Sequence, residues 1–312
     1  MIEPTDRTHE DRMNQTNHRP PLTTALIIAL LLVLPLTHEM AAQETAAPFA
    51  SRFAPAAPLP LGDSLLTLPS SHIPSEGVWE IKFTHRFNQS IDQGSASDRI
   101  HSLFGLDSNA DVGFGVSYVP RRDLELSILR SNTNDTIEGA AKYVVLQQAR
   151  AVPLTATLRG GFDWRTENDL RDRTSWFAQA IVSRQIGRSM ELFVLPTFAT
   201  NAGRAIGTDG SIALFDHAFN VPVGLAWMFR PGLSIVTELI PPNADLPDSA
   251  DLGWAIGLKR AVGGHYFEVL LTNSNATTTD QYVSSTYQGS PLVSGDLHIG
   301  FNIERRFGRG RR

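Results

Sequence analysis

Acidic and basic side chains recur at every second position in several short stretches of this chain. In VWEIKFTHRFN, residues 78–88, Glu80, Lys82 and Arg86 fall on one face, while Trp79, Ile81, Phe83 and Phe87 fall on the other. Residues 154–165 set Arg159, Asp163 and Arg165 against Leu158, Phe162 and Trp164, and residues 296–307 set His298, Glu304 and Arg306 against Ile299, Phe301 and Ile303. Carboxylates alternating with ammonium and guanidinium groups suit proton transfer, the holding of a charged solute, or mutual neutralisation across strands. Nucleophilic catalysis asks for more, namely a Ser held by a His that is itself oriented. There is no G-x-S-x-G, and His298 is followed two residues on by Gly300 instead of the Ser that a His-x-Ser barrel deacylase would carry. DSNADVG, residues 107–113, begins like a calcium loop. The spacing then asks for Gly at the sixth position and Glu at the twelfth, where Val112 and Tyr118 stand. Ordinary turn preferences of Asp, Asn and Gly account for it, and Asp107 is placed to accept hydrogen bonds from Arg86 or Arg130 near a rim.

The nine His form no i,i+2 or i,i+4 pair, and Cys is absent, so the sequence predicts no ready metal site, no disulfide and no thiol chemistry. The formal net charge of −5 (27 − 32) carries no basic face for nucleic acid. No catalytic residue and no cofactor is expected.

Such alternation is the mark of a half-buried strand, but it does not say which face is wet. The first residues bear on that. A polar stretch with Arg12, His18 and Arg19 leads into ALIIALLLVLPL, residues 25–36, and then into small residues up to Ala42. This is signal-peptide anatomy, and the apolar run falls short of the roughly 20 residues of a spanning helix. The predicted organisation is a signal peptide over 1–42, a Pro- and Ala-rich periplasmic linker over 43–77, a β-barrel over 78–307 and a basic tail over 308–312. Beyond the leader no apolar run is long enough to span as a helix, so membrane insertion would be by strands.

Twelve strand-like segments follow the linker: 78–88, 111–119, 124–130, 136–147, 154–165, 174–186, 190–200, 218–229, 233–240, 252–259, 265–271 and 296–307. The joints between them are sorted by length. PRRD (120–123), QARAVP (148–153), GRS (187–189), RPG (230–232) and RAVGG (260–264) are short and alternate with polar connections that are mostly longer, the residues 89–110, 201–217 and 272–295 among them. Short periplasmic turns, long extracellular loops and an even strand number are the habit of outer-membrane barrels. The fold class expected is therefore all-β: a transmembrane, antiparallel, up-and-down β-barrel of about twelve strands. A charge at the lipid midplane costs roughly 2–4 kcal/mol, so the polar faces must line the lumen. Trp79, Phe87, Tyr118, Trp164, Trp227 and Phe307 then sit near the interfaces, and His85 and Arg305, on apolar faces, lie close enough to strand ends to snorkel.

LPSSHIPSEGVWEIKFTHRF, SLFGLDSNADVGFGVSYVPRRDLELSILRS and EGAAKYVVLQQ carry a further pattern. His85, Arg86 and Phe87, the block Phe104 to Asp107, Arg130 with Ser131, and Lys142, Tyr143 and Gln147 resemble the recurring blocks of a family of bacterial outer-membrane β-barrels known only as a domain of unknown function. The resemblance implies fold and location and no activity. One departure is the ending, where GRGRR follows Phe307, the aromatic that barrel assembly machinery would read.

Lumen and rim candidates are thus Glu80, Lys82, His85, Arg86, Asp107, Arg130, Lys142, Arg159, Asp163 and Glu304, with Glu125, Glu268, His298 and Arg306 on the same inward faces. Their mixed signs fit a salt-bridged lining that steadies the barrel or a narrow path for a small solute. The expected function is an outer-membrane channel or transporter for small solutes, or a structural barrel. The alternatives are a barrel enzyme acting on envelope lipid and a secreted soluble β-sandwich. Expected partners are outer-membrane lipid, the barrel assembly machinery and a small-molecule solute.

Overall fold

The computed structural model describes residues 59–308, apart from 93, 150, 167–173, 203, 207–211, 215, 244–250, 285, 288–289 and 292–294. The predicted signal peptide, the first part of the predicted linker and residues 309–312 of the tail lie outside the described residues.

Twelve antiparallel strands close on themselves. In chain order they are β1 (Trp79–Phe87), β2 (Ala110–Arg121), β3 (Leu124–Ser131), β4 (Thr136–Leu146), β5 (Thr155–Arg165) and β6 (Thr174–Ile186). Then come β7 (Met190–Val194 and Thr197–Thr200), β8 (His217–Asn220 and Val223–Arg230), β9 (Leu233–Ile240), β10 (Gly253–Val262), β11 (His265–Thr272) and β12 (His298–Phe307). Each strand pairs with its neighbours in sequence, and β12 returns to β1 in a register running from Trp79 opposite Phe307 to Arg86 opposite Gly300. Closure leaves no unpaired edge.

β7 and β8, which alternation alone reads as continuous, are each broken. The breaks fall at Pro196 and Pro222, which have no N–H to give to a ladder. Their carbonyls still serve it: Ala180 N donates to Pro196 O at 3.1 Å and Leu195 N to Pro222 O at 2.8 Å. Both broken pieces of β7 remain paired with β6.

The two faces of the wall are inverted relative to a soluble protein. Trp176 (61%), Val269 (62%) and Ile128 (58%) are exposed on the outside, while Glu238 (0%), Glu304 (0%) and Lys259 (1%) are buried on the inside. An outer belt of large apolar side chains around an ionic interior is stable only where the outer medium is hydrocarbon. Near one end of the belt Trp79 stacks on Tyr118 with ring centroids 4.3 Å apart. No helix among the described residues is long and apolar enough to cross a membrane.

The joints at the end where β1 begins are tight. Gly187, Gly232, Gly263 and Gly264 take positive φ there, which a residue with a Cβ adopts only with strain. The connections at the opposite end carry the described helices, α1 (Ala96–His101) between β1 and β2 and α2 (Thr279–Ser284) between β11 and β12, each six residues long.

Candidate functional site

The lumen is occupied. Residues 59–71, whose composition predicts an extended periplasmic linker, instead run inside the barrel as a narrow hairpin that turns at residues 65–68. Leu65 N donates to Leu68 O and Ser70 N to Asp63 O, both at 2.8 Å, and Ser64 bridges to Pro69. A backbone enclosed in this way must find partners for its polar groups, and here the wall supplies them. Leu66 N, Thr67 N and Leu68 N all donate to Glu238 Oε1, at 2.7, 3.0 and 3.0 Å. The carbonyls of Ser64 and Leu65 accept from Lys259 Nζ, at 2.5 and 3.1 Å. The carbonyl of Leu66 accepts from Asn302 Nδ2 at 2.7 Å and from Arg86 Nη2 at 3.3 Å.

Side chains fasten the hairpin further along. Ser64 Oγ donates to Glu304 Oε1 at 2.5 Å. Lys142 joins Asp63 of the hairpin to Glu125 of the wall, 3.1 Å from the latter. Towards β1, Ser71 Oγ lies 2.7 Å from Ser183 Oγ, Ser183 Oγ donates to Glu191 at 2.8 Å, and His72 Nε2 lies 2.9 Å from Glu191 Oε2. The chain leaves the lumen at the short-turn end, where Gly77 N donates to Val119 O at 2.8 Å.

The opposite end is closed by the β11–β12 connection, of which residues 273–284 fold inward. Its helix α2 meets two wall carboxylates. Glu138 Oε2 accepts from Thr279 N at 2.7 Å, and Asp163 Oδ2 accepts from Asp280 N at 3.0 Å, where first-turn N–H groups lack intrahelical acceptors. Arg159 pairs with Glu138, donates to Thr279 Oγ1 at 2.7 Å and lies 4.6 Å above the Phe177 ring. Arg165 pairs with Asp280 at 2.8 Å, and Gln179 Nε2 donates to Tyr282 Oη at 2.8 Å. Between hairpin and loop there remains a polar cavity of about 60 Å³, lined by Asp63, Glu80, Glu125, Glu138, Arg159 and Tyr282 among others. A larger space of about 320 Å³ opens at the short-turn end beside His72, Gln148 and Glu191.

Seven of the ten residues singled out from the sequence face this lumen: Glu80, Lys82, Arg86, Lys142, Arg159, Asp163 and Glu304. Cross-strand neutralisation does occur, with Glu80 2.5 Å from Arg306 and Lys82 3.7 Å from Glu304. Most inward charges, however, are spent on the two inserted segments as well. His85 faces outward and stacks on Phe301 with centroids 4.8 Å apart. Asp107 is exposed on the first long loop, and the bonds expected between it and Arg86 or Arg130 are not made. Arg86 is turned into the lumen towards Asn302, at 2.7 Å, and Arg130 points outward and pairs with Asp135, at 2.6 Å. Residues that alternation did not bring forward are Glu238 and Lys259 on the wall and Leu59, Leu61, Leu65, Leu66 and Leu68 on the hairpin, all buried. The one available signal was the recurrence of Leu in a Pro- and Ser-rich stretch.

Asp63 gives the hairpin a pH dependence. Burial pushes its carboxyl up, but the ammonium groups of Lys142 and Lys82 outweigh this and hold it well below the usual carboxylate range. A depressed folded-state pKa stabilises docking fully above the unfolded value, near 4, and the contribution is lost as pH falls towards the folded value. Protection of residues 59–71 from protease is therefore expected to be level from neutral pH down to about 5 and to fall in stronger acid. Asp63→Asn should weaken docking at neutral pH and flatten the profile, and an unchanged profile would remove Asp63 as its source.

Residues 62–307 match the family described as a membrane bound beta barrel domain, DUF5777. The comparison with curated proteins gives no match. Among solved structures the NanC porin is similar at 8% identity and a TM-score of 0.48, over 74% of this chain and 100% of the porin. The COG4313 outer membrane channel from Pseudomonas putida F1 is similar at 10% identity and a TM-score of 0.44, over 76% of this chain and 97% of the channel. Outer membrane phospholipase A from Escherichia coli is similar at 10% identity and a TM-score of 0.40, over 80% and 98% of the two chains.

Proposed function

This chain belongs to the DUF5777 family of membrane-bound β-barrel domains, and on that premise we propose that it is an outer-membrane channel for small solutes, held shut at rest by its own N-terminal hairpin and its last long loop. The observation that carries this reading is the size of the wall residues facing the hairpin. Gly224, Ala226, Ala255 and Gly257 point inward beside the leucines, and a Cβ on Gly257 would come within 2.9 Å of Leu66 Cδ2. Narrow barrels of about eight strands fill their interior with their own wall side chains. Here the wall is cut back, and a separate segment, held through side-chain and backbone hydrogen bonds, fills the space. Undocking that segment together with the inserted part of the β11–β12 connection leaves a passage without breaking one bond of the strand ladder.

The test is conductance in planar bilayers with the full chain. Wild type should give rare, small openings, and the double variant Glu138→Ala/Glu238→Ala, which loosens both closures, should give sustained ones. Because the chain has no Cys, adding Ser71→Cys and Ser183→Cys to that variant allows the hairpin to be tethered to β6. Oxidation should then suppress conductance and reductant restore it. A double variant that migrates as a folded, heat-modifiable barrel and exposes the hairpin to protease, yet passes no current, would leave a structural barrel instead.

A further inference from the structure

The lumen is divided lengthwise. The half formed by β12 and β1 to β5 is lined mainly by charged and polar groups, whereas the half formed by β6 to β11 presents Phe177, Ile181, Phe193, Val236 and Leu270 inward. The five hairpin leucines lie in this apolar half and form one buried cluster with it. A passage for hydrated ions needs no such wall, since water-filled barrels have polar interiors.

Across the border of the two halves lies an ionic patch, with Glu238, Lys259 and Glu268 on β9 to β11 and Arg86 and Asn302 on β1 and β12. Glu238 takes three adjacent backbone N–H groups, and Lys259, Arg86 and Asn302 give hydrogen bonds to three adjacent carbonyls. Lys259 is also paired with Glu268 at 2.5 Å. The patch carries two cations and two carboxylates, so it offers a lone anion no net attraction. What it matches is a tight turn that gathers adjacent amide N–H groups on one side and adjacent carbonyls on another, and what surrounds it matches branched aliphatic side chains.

We propose that this lumen is a receptor site for an apolar oligopeptide that folds into a tight turn, which displaces the hairpin by making the same contacts. The proposal rests on the channel reading, in that it names the ligand admitted to the same passage. The hairpin is then an internal stand-in for the ligand, and its backbone shows how the ligand's amides are held.

The test uses the full chain with Leu65→Ser and Leu66→Ser, which weaken the hairpin's own docking and leave the wall intact. The probe is the synthetic nonapeptide GDSLLTLPS, the sequence of residues 62–70, with photo-leucine at its fifth position. Crosslinks should map to the inward residues Phe193, Val236 and Leu270. They should be competed by GDSVITIPS within about 200-fold of the parent peptide, the upper end of what a hydrophobic pocket discriminates over one methylene. GDSSSTSPS, which keeps the amides without the apolar side chains, should not compete, and neither should dodecanoate, which keeps the chain without the amides.

Crosslinks confined to lipid-facing Trp176 or Val269, or equal competition by dodecanoate, would overturn the peptide assignment. Competition by GDSLLTLPS alone would also overturn it, leaving a self-plug and no receptor. A variant that conducts but fails to crosslink sinks this inference and leaves the channel reading standing, and one that crosslinks but passes no current even with Glu138→Ala added sinks the channel reading on which this inference rests.

Discussion

Glu238→Ala is expected to undock the hairpin while the barrel stays folded. The substitution removes the shared acceptor of Leu66 N, Thr67 N and Leu68 N, and each enclosed N–H left without an acceptor costs about 1–3 kcal/mol. Water entering the space vacated by the side chain recovers part of this. A net loss of about 3 kcal/mol raises the undocked population more than a hundredfold. Glu238→Gln retains one carbonyl oxygen at the position of Oε1 and should lose clearly less. Hydrogen exchange at these three amides, read together with proteolysis within residues 59–71, gives the measurement. Exchange as slow as in wild type, in a variant shown to lack the carboxylate, would mean that the hairpin is held by its leucines and not by this acceptor. Retained heat-modifiable migration is the necessary companion result, because the substitution leaves the backbone of residue 238, paired opposite Gly224 and Ala255, in the ladder and removes only a side chain that points into the lumen.

The second large effect is expected at the opposite end. Glu138→Ala leaves the buried guanidinium of Arg159 without its carboxylate and the amide of Thr279 without its acceptor. Removing one member of a buried ion pair typically costs about 3–5 kcal/mol, because the other charge stays in a poorly solvated place. Arg159 keeps Thr279 Oγ1 and the Phe177 ring, which places the expected loss near the low end of that range. Amide exchange should quicken across residues 276–284 and remain unchanged across residues 64–70. Glu138 and Glu238 share no hydrogen-bond partner, since the one holds Thr279 and Arg159 and the other Leu66, Thr67 and Leu68, so the effects of Glu138→Ala and Glu238→Ala should add to within about 0.5 kcal/mol. A large coupling would show that hairpin and loop move as one body, and a single trigger would then suffice to open the passage.

The wall was legible in the sequence to a depth that the interior was not. Arg159, Asp163 and Arg165 announce an inward face because a strand sends alternate side chains to opposite sides, and that rule needs only local sequence. The long and short joints sort to opposite ends for an equally local reason, since each hairpin reverses the chain. Pro196 and Pro222 were visible as letters, but whether a proline ends a strand or only interrupts one depends on neighbours that can still use its carbonyl. Glu80 and Arg306 could be placed on inward faces, and their pairing followed from the closure of β12 onto β1.

The contents of the lumen followed from none of these rules. Leu66 meets Glu238 across 172 positions and Asn302 across 236, and Asp280 meets Arg165 across 115. A Pro-broken stretch of leucines carries no period from which a partner could be inferred, and its turn at residues 65–68 is held by wall side chains far away in the sequence. Composition and alternation by themselves determined a membrane barrel with its charges turned inward, because burial against lipid selects the face of every strand one residue at a time. Only the tertiary structure decided that the barrel is shut and by what. Filling an enclosed space is a property of the whole closed wall, and the groups that fill it are chosen by volume and hydrogen-bond complementarity between segments far apart in the chain.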